Sequence, residues 1–367
     1  MGQPGAPRPV GQPLPAPRHR HPQPKGTTVR IAVSGSIATD YLMSFPGRFT
    51  DQLVADQLDR VSLSFLISDL EIRRGGVAAN ISFGMGQLGL SPLLVGAVGR
   101  DFFNEYEPHL AAHGVDTSAV RVSEQQHTAM FLCTTDETEQ NQIASFYPGA
   151  MSEAAQIDLD ELARSHGEPD LVVVCPNDPG AMARHTREAL EAGWQVAADP
   201  SQQLPRLEGD GVRELVDGAT YLLSNDYEAA LIEEKSGWST AEVLKRVDLR
   251  VTTYGPQGCV IQREGEEPIE VPVVPPLPDA KLEPTGVGDA FRAGFLAGVG
   301  QDLPLERSAQ IGSLVATLTL ESVGPQEYRL RGNGALDRFA RAYGDDAVAD
   351  AEALLGEDTA LAAGGDR

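Results

Sequence analysis

Four short apolar runs between residues 171 and 253 limit what this chain can fold into. Leu171–Cys175, Gln195–Asp199, Tyr221–Ser224 and Leu249–Thr253 each have the length of a buried strand. Helical patterns over Pro179–Ala192, Gly211–Val216 and Thr240–Val247 separate them. Strands that read as continuous apolar runs are covered on both faces, and strand–helix alternation lays them side by side in a parallel sheet. The expected fold class is α/β, a doubly wound and mostly parallel sheet flanked by helices. In such sheets ligands sit outside the carboxyl ends of the strands. The residues that follow each run are therefore the first candidates for function.

The rest of the chain attaches to this frame. Val29–Val33 reads as a strand and Ser34–Asp40 as the turn after it, which places Asp40 to meet a ligand hydroxyl or to stabilise the turn. Residues 41–74 lack a long helical pattern and carry two short strands, Val61–Ile67 and Glu71–Arg73, outside the main sheet. A helix opens at Arg74-Gly75-Gly76 and runs to about Leu88, with Asn80 one turn in. Leu93–Val98 is a strand and Asp101–Ala112 a helix; Met130–Thr135 and Gln142–Tyr147 are paired strands. Gly258–Gln262 and Pro268–Val274 read as antiparallel, followed by helices over 287–301 and 304–322. Residues 344–367 are Ala- and acid-rich, a helix and a tail. Residues 1–28 hold Pro, Gln, Arg and His with no apolar h-region, so they read as a disordered tail or as sequence upstream of the true start. One folded unit over residues 29–343 is expected.

Charge narrows the partners. The chain carries 29 basic and 53 acidic residues, a net charge of −24. Such an acidic body argues against nucleic acid and anionic membranes as partners. A phosphate-bearing ligand would have to be held by backbone amides, metal and a few local cations. Cys133, Cys175 and Cys259 are far apart and without metal-ligand spacing, which reads as buried thiols in a reducing cytoplasm. No apolar run is long enough to span a bilayer.

Pro284-Thr285-Gly286-Val287-Gly288-Asp289-Ala290-Phe291 is the stretch with the most chemistry. Two glycines at a helix start allow close backbone approach, and the free N–H groups of a first turn bind anions. Asp289 adds a carboxylate in that turn. An anion cradle beside a base suits phosphoryl transfer to a hydroxyl, and an ordinary Gly-rich cap would look the same. No Gly-Lys dipeptide occurs, which excludes a P-loop, and protein-kinase signatures are missing. Gly84-Met85-Gly86-Gln87-Leu88-Gly89 fits G-x-G-x-x-G, but it ends a helix and reads as helix packing and a C-cap. Three further groups follow strand ends. Asn225-Asp226-Tyr227-Glu228 puts an amide and a carboxylate on one helical face, able to orient waters on Mg²⁺ or simply to cap a helix. Thr252-Thr253-Tyr254-Gly255-Pro256-Gln257-Gly258 is a glycine-bearing turn that could pass beside a nucleotide or close a hairpin. Asp199-Pro200-Ser201-Gln202-Gln203 ends another strand with polar groups.

Taken together with Gly35-Ser36-Ile37-Ala38-Thr39-Asp40, Gly75-Gly76-Val77-Ala78-Ala79-Asn80 and Ala144–Met151, these motifs resemble the ribokinase (PfkB) family of small-molecule kinases over nearly all of residues 29–343. Within that family the chain is similar to the bacterial adenosine kinases. The resemblance implies transfer of the ATP γ-phosphate to the 5′-hydroxyl of adenosine, giving AMP in purine salvage. A sugar kinase of the same family and a catalytically silent nucleoside-binding regulator are the rival readings. It further implies Asp289 as the catalytic base, with Gly286, Val287 and Gly288 as the anion hole. Asn225 and Glu228 would position Mg²⁺ through water. Asn225, Thr253, Gly255, Gly258, Gly286 and Gly288 would line the ATP site. Ser36, Asp40, Gly75, Gly76 and Asn80 would hold the ribose. Phe131 and Phe146 would clasp the base, with Gln202 and Gln203 as polar contacts. Segments 41–74 and 122–150 would form a small β lid that also makes a homodimer contact in the cytoplasm. A monovalent cation could take part. Where the family has Asp before Pro284, this chain has Glu283.

Overall fold

The computed structural model describes residues 29–52, 64, 66–139, 141–331 and 334–356. The expected tail over 1–28, the last residues of the acidic segment, and residues 61–63 and 65 of the expected 61–67 strand lie outside the described residues; residues 64, 66 and 67 carry no strand. In chain order the strands are β1 Ile31–Ser34, β2 Ala38–Phe45, β3 Asp69–Gly75, β4 Leu93–Val95, β5 Ala97–Val98, β6 Arg121–Val122, β7 Ala129–Asp136, β8 Gln142–Tyr147, β9 Leu171–Val174, β10 Gln195–Ala198, β11 Tyr221–Asn225, β12 Leu249–Thr253, β13 Cys259–Gln262 and β14 Ile269–Val271.

Eight of them form one sheet in the order β14-β13-β12-β11-β10-β9-β1-β4. It is parallel from β12 to β4 and antiparallel at β13 and β14. Successive side chains alternate faces, and the sheet's burial follows that period. Ile31, Val33, Leu171, Val173, Leu223 and Val251 join one core, under helices that include Val77–Gln87 and Val287–Gly300. Ala32, Val172, Val174, Val196 and Leu222 join a second core, under helices that include Pro179–Ala192 and Asp226–Ser236. Two cores on opposite faces are what a doubly wound sheet requires.

The second sheet has the order β3-β2-β7-β8. The expected turn over Ser34–Asp40 is shorter than that, because β2 begins at Ala38 and pairs with both β3 and β7. Asp40 therefore projects from this small sheet rather than from a turn. The expected strand over Leu93–Val98 breaks at Gly96 into β4 and β5, and β5 pairs with β6 apart from both larger sheets. The Gly84–Gly89 stretch packs helices: a Cβ on Gly86 would lie 1.9 Å from the His113 carbonyl, and Gly89 turns the chain at φ +83°.

Candidate active site

The site lies where the parallel strands end and the small sheet comes over them. After β1, the Ser36 hydroxyl accepts from Val77 N–H at 3.0 Å and its carbonyl from Ala78 N–H at 3.2 Å, so this turn caps the Val77–Gln87 helix. Gly76 allows the approach. Its φ is +93°, and a Cβ there would stand 2.6 Å from the Ser36 carbonyl oxygen. Neighbouring Gly75 makes room for the Asp40 carboxylate, which a Cβ would meet at 2.7 Å. Burial raises the Asp40 carboxyl to about 6; Arg73 opposes the rise and Asp289 adds to it.

Asp289 stands in the first turn of the Val287–Gly300 helix, whose N-cap Gly286 is left-handed at φ 77°. A Cβ on Gly286 would come within 2.3 Å of Pro325. First-turn N–H groups lack partners inside their own helix, and the Val287 N–H reaches Pro284 only at 3.3 Å. The Asp289 Oδ2 accepts from Asn80 Nδ2 at 2.8 Å, which brings together two residues far apart in sequence. Burial raises the Asp289 carboxyl, while Arg292 and the Asn80 bond pull it down.

Three carboxylates surround one guanidinium beneath this turn. Arg292 Nη2 lies 2.8 Å from Asp199 Oδ1 and 3.3 Å from Glu228 Oε2. Asp199, at the end of β10, is 0% exposed, and burial pushes its carboxyl up to about 7. Asn225 and Glu228 form a reciprocal capping box: Glu228 N–H donates to Asn225 Oδ1 at 2.7 Å and Asn225 N–H to Glu228 Oε2 at 2.8 Å. Ser201 donates to Glu228 Oε1 at 3.0 Å. Among the described residues, no group of three or more His, Cys, Asp or Glu stands in metal-ligating geometry. The donor set nevertheless fits a hard cation held through its own waters. Asp199 Oδ2 has no hydrogen-bond partner, and the carboxylates outnumber the guanidinium.

A cavity of about 630 Å³ opens beside the turn that starts the Val287–Gly300 helix. Asn225, Thr253, Gly255 and Gly258 line one side and Val287 and Gly288 another, with Val271, Val274 and Phe291 supplying apolar wall. Thus the expected ATP-site residues meet around one space, apart from Gly286, which lies at its edge in the chain. On the small sheet, Arg73, Asp40, Phe131 and Phe146 form one cross-strand row. The expectation that the two Phe rings clasp a base between them does not survive this register. Directly paired residues have Cβ atoms only about 5 Å apart, so both side chains leave the same face of the small sheet, with room for a base against that face rather than between them. Gln203 also departs from expectation. It is buried, and its amide donates to the Asn177 carbonyl at 2.7 Å, while Gln202 is exposed.

Glu283 uses its extra methylene. Its Oε2 receives Arg73 Nη1 at 2.7 Å and its Oε1 the Thr285 N–H at 3.0 Å, joining β3 to the Pro284–Gly288 turn. Burial works against this carboxylate, but the Thr285 and Arg73 bonds outweigh it and hold the group below its ordinary range. Sequence reasoning missed Arg73, Arg292, Tyr106 and Gln326. Only Arg292 left a signal: a lone charge in an apolar helical run, three residues after Asp289.

The fold and this cleft define a class, the α/β small-molecule kinases without a P-loop. The pfkB family carbohydrate kinase model matches residues 42–330, and the chain belongs to that family. A nucleoside kinase of Methanocaldococcus jannaschii is 28% identical over 302 residues, covering 82% of this chain and 93% of that protein. The structure of Burkholderia thailandensis nucleoside kinase in complex with inosine superposes with a TM-score of 0.73 at 32% identity, covering 86% of this chain and 98% of that one. The crystal structure of the Methanocaldococcus jannaschii nucleoside kinase gives 0.73 at 26% identity, covering 86% and 100%.

Proposed function

We propose that the protein is a nucleoside kinase that moves the γ-phosphoryl group of ATP to the 5′-hydroxyl of its substrate, with adenosine as acceptor and AMP as product. One observation carries this reading: Asp289 follows Gly288, which lines the 630 Å³ cavity, and is near enough to raise the carboxyl of Asp40, which stands in one row with Phe131 and Phe146 on the small sheet. The nucleoside kinases similar to this chain support the acceptor class.

In this reading the ribose hydroxyls donate to Asp40, which is mostly ionised above pH 6. The base lies on the Phe131–Phe146 platform. Asp289 takes the proton from the 5′-oxygen as that oxygen bonds to phosphorus and the bond to ADP breaks. First-turn amides around Gly286, Val287 and Gly288 face the charge in transit. Asn225, Glu228 and Asp199 would hold Mg²⁺ through water, and the ion would offset phosphate charge. The small sheet acts as a lid that keeps water from the phosphoryl group.

A homodimer through the lid belongs to the same proposal. The opposite face of the small sheet carries Ile72, Tyr41 and Leu132 in one row, and Leu70, Met43 and Ile143 in the next. Ile72 is 61% exposed, an apolar load that a second copy would cover. Light scattering should give a dimer mass for the wild type and a monomer mass for Ile72→Asp; a monomeric wild type removes this part.

The main test is a panel of adenosine, inosine, guanosine, ribose and fructose with ATP–Mg²⁺. We expect adenosine to have the highest kcat/KM and Asp289→Asn to lower its kcat by roughly 10²–10⁴-fold. Preferred turnover of ribose or fructose would overturn the nucleoside reading. Near-wild-type turnover by Asp289→Asn would remove the base.

A further inference from the structure

Behind Asp289 runs a chain of buried hydrogen bonds whose direction is fixed at both ends. A carboxylate only accepts, so Asn80 must turn its NH₂ toward Asp289, at 2.8 Å. That leaves the Asn80 oxygen facing the other way, where it needs a donor. Gln326 Nε2 supplies it at 2.8 Å, and the same nitrogen donates to Tyr106 Oη at 2.7 Å. Tyr106 passes its own hydrogen to the Gly75 carbonyl at 2.6 Å. Gln326 and Tyr106 are 2% and 5% exposed, so water does not replace a lost partner. Gln326 also follows Pro325, which packs against Gly286. One turn after the Leu305–Leu320 helix thus touches the anion-facing glycine and the support of the carboxylate together.

We infer that Gln326 is a positioning residue for phosphoryl transfer: with Tyr106 it locks the Asn80 amide in the orientation that donates to Asp289, and it anchors that bond to the Gly75 peptide at the root of the small sheet. The inference rests on the reading of Asp289 as the base. Without Gln326 the buried Asn80 oxygen loses its donor and the amide is no longer held from behind, which loosens the Asn80 bond that favours the charged form of Asp289. The other groups around Asp289 stay in place: Arg292 on its own helix, Glu228 on the Asp226–Ser236 helix, Asp199 after β10, Asp40 on β2, Cys175 after β9, and Tyr328 in the Gln326 turn.

The test is the pH profile of kcat and KM for the full chain, with adenosine and inosine each as acceptor and ATP–Mg²⁺ as donor. Gln326→Met keeps the length and removes both donated bonds. We expect the acidic limb of kcat to move by about one pH unit toward higher pH, which is about a tenfold fall at any pH on that limb, with recovery at alkaline pH. KM for ATP should stay within about twofold. Gln326→Glu is nearly isosteric but offers an acceptor, so it pulls the Asn80 NH₂ away from Asp289 and should cost more than Met. A buried carboxylate would also raise Asp289 by its charge alone, so the neutral Met variant carries the decision: a role in packing alone would leave its acidic limb unmoved. Tyr106→Phe removes a single hydroxyl and should move the limb in the same direction by less; it decides the matter if both Gln326 variants fail to fold. Folded variants with a wild-type kcat and an unmoved limb overturn the inference. If Asp289→Asn is inactive in that same experiment, only the role of Gln326 falls; if Asp289→Asn keeps turnover, the reading beneath it falls as well.

Discussion

Arg292→Met asks whether one guanidinium makes a fully buried carboxylate tolerable beneath the site. Asp199 is 0% exposed, its Oδ1 lies 2.8 Å from Arg292 Nη2, and neither of its oxygens has a further hydrogen bond. Methionine keeps the apolar stem and deletes the charge. Breaking a buried pair from one side costs about 3–5 kcal/mol, because the remaining charge is stranded. Glu228 suffers less, since Ser201 and Asn225 still donate to it. Asp199 can escape by taking a proton. Burial already pushes it up to about 7, and Arg292 is the main force holding it down. A carboxyl raised in the folded state stabilises fully below its unfolded value and loses that stability as pH climbs through the folded one. In the variant the folded value is higher still. Its deficit against wild type should therefore be smallest below about pH 7 and grow by up to about 1.4 kcal/mol per unit above it. Urea unfolding at about pH 6 and pH 9 reads this directly, and the melting temperature should drop by roughly 5–15 °C at the higher pH. Asp199→Asn added to Arg292→Met should flatten the pH dependence. An equal deficit at both pH values would refute the reasoning.

Two further predictions concern the acceptor side. Phe131→Ala and Phe146→Ala should each raise KM for adenosine by about tenfold, or about 1.4 kcal/mol of lost stacking, with KM for ATP unchanged in steady-state kinetics; unchanged adenosine kinetics in both would dismiss the platform. Because Asp40 is raised to about 6 by burial, nucleoside KM should climb as pH falls through that value, and Asp40→Asn should abolish the climb; a pH-independent KM in the wild type speaks against Asp40 as a ribose acceptor.

The sequence carried the architecture because parallel strands are buried on both faces and write themselves as apolar runs: β9, β10, β11 and β12 all lie within one residue of their expected bounds. The small sheet was less legible. Ala38–Phe45 mixes Asp, Tyr, Met and Ser and gains its strand character from two neighbours, a tertiary effect that local propensity does not contain. Glycines at 75, 76 and 286 were readable as close approaches, since their reason is steric and local. The bonds from Arg73 to Glu283 and from Gln326 to Asn80 span 210 and 246 residues. Nothing in the local pattern around Gln326 marks it as buried.

The acidity of the chain acquires meaning at the site. With a net charge of −24, general attraction cannot bring in ATP, and the guanidinium against Gly288 is already engaged. Arg292 faces Asp199 and Glu228, and both of these, with Asp289, hold its guanidinium in the charged form. It therefore offsets carboxylates of the protein rather than phosphates of the ligand. In the proposed reading, phosphate charge is met by first-turn amides, which are neutral, and by a divalent ion, for which the excess of carboxylate over guanidinium would leave a net negative seat. Amides fix geometry without attracting an anion over distance. A site built this way should bind nucleotide with its metal as one partly neutralised unit. Chelating the metal should then raise KM for ATP as well as lower kcat, whereas a site in which Arg292 met the phosphates directly would lose kcat and keep its hold on ATP.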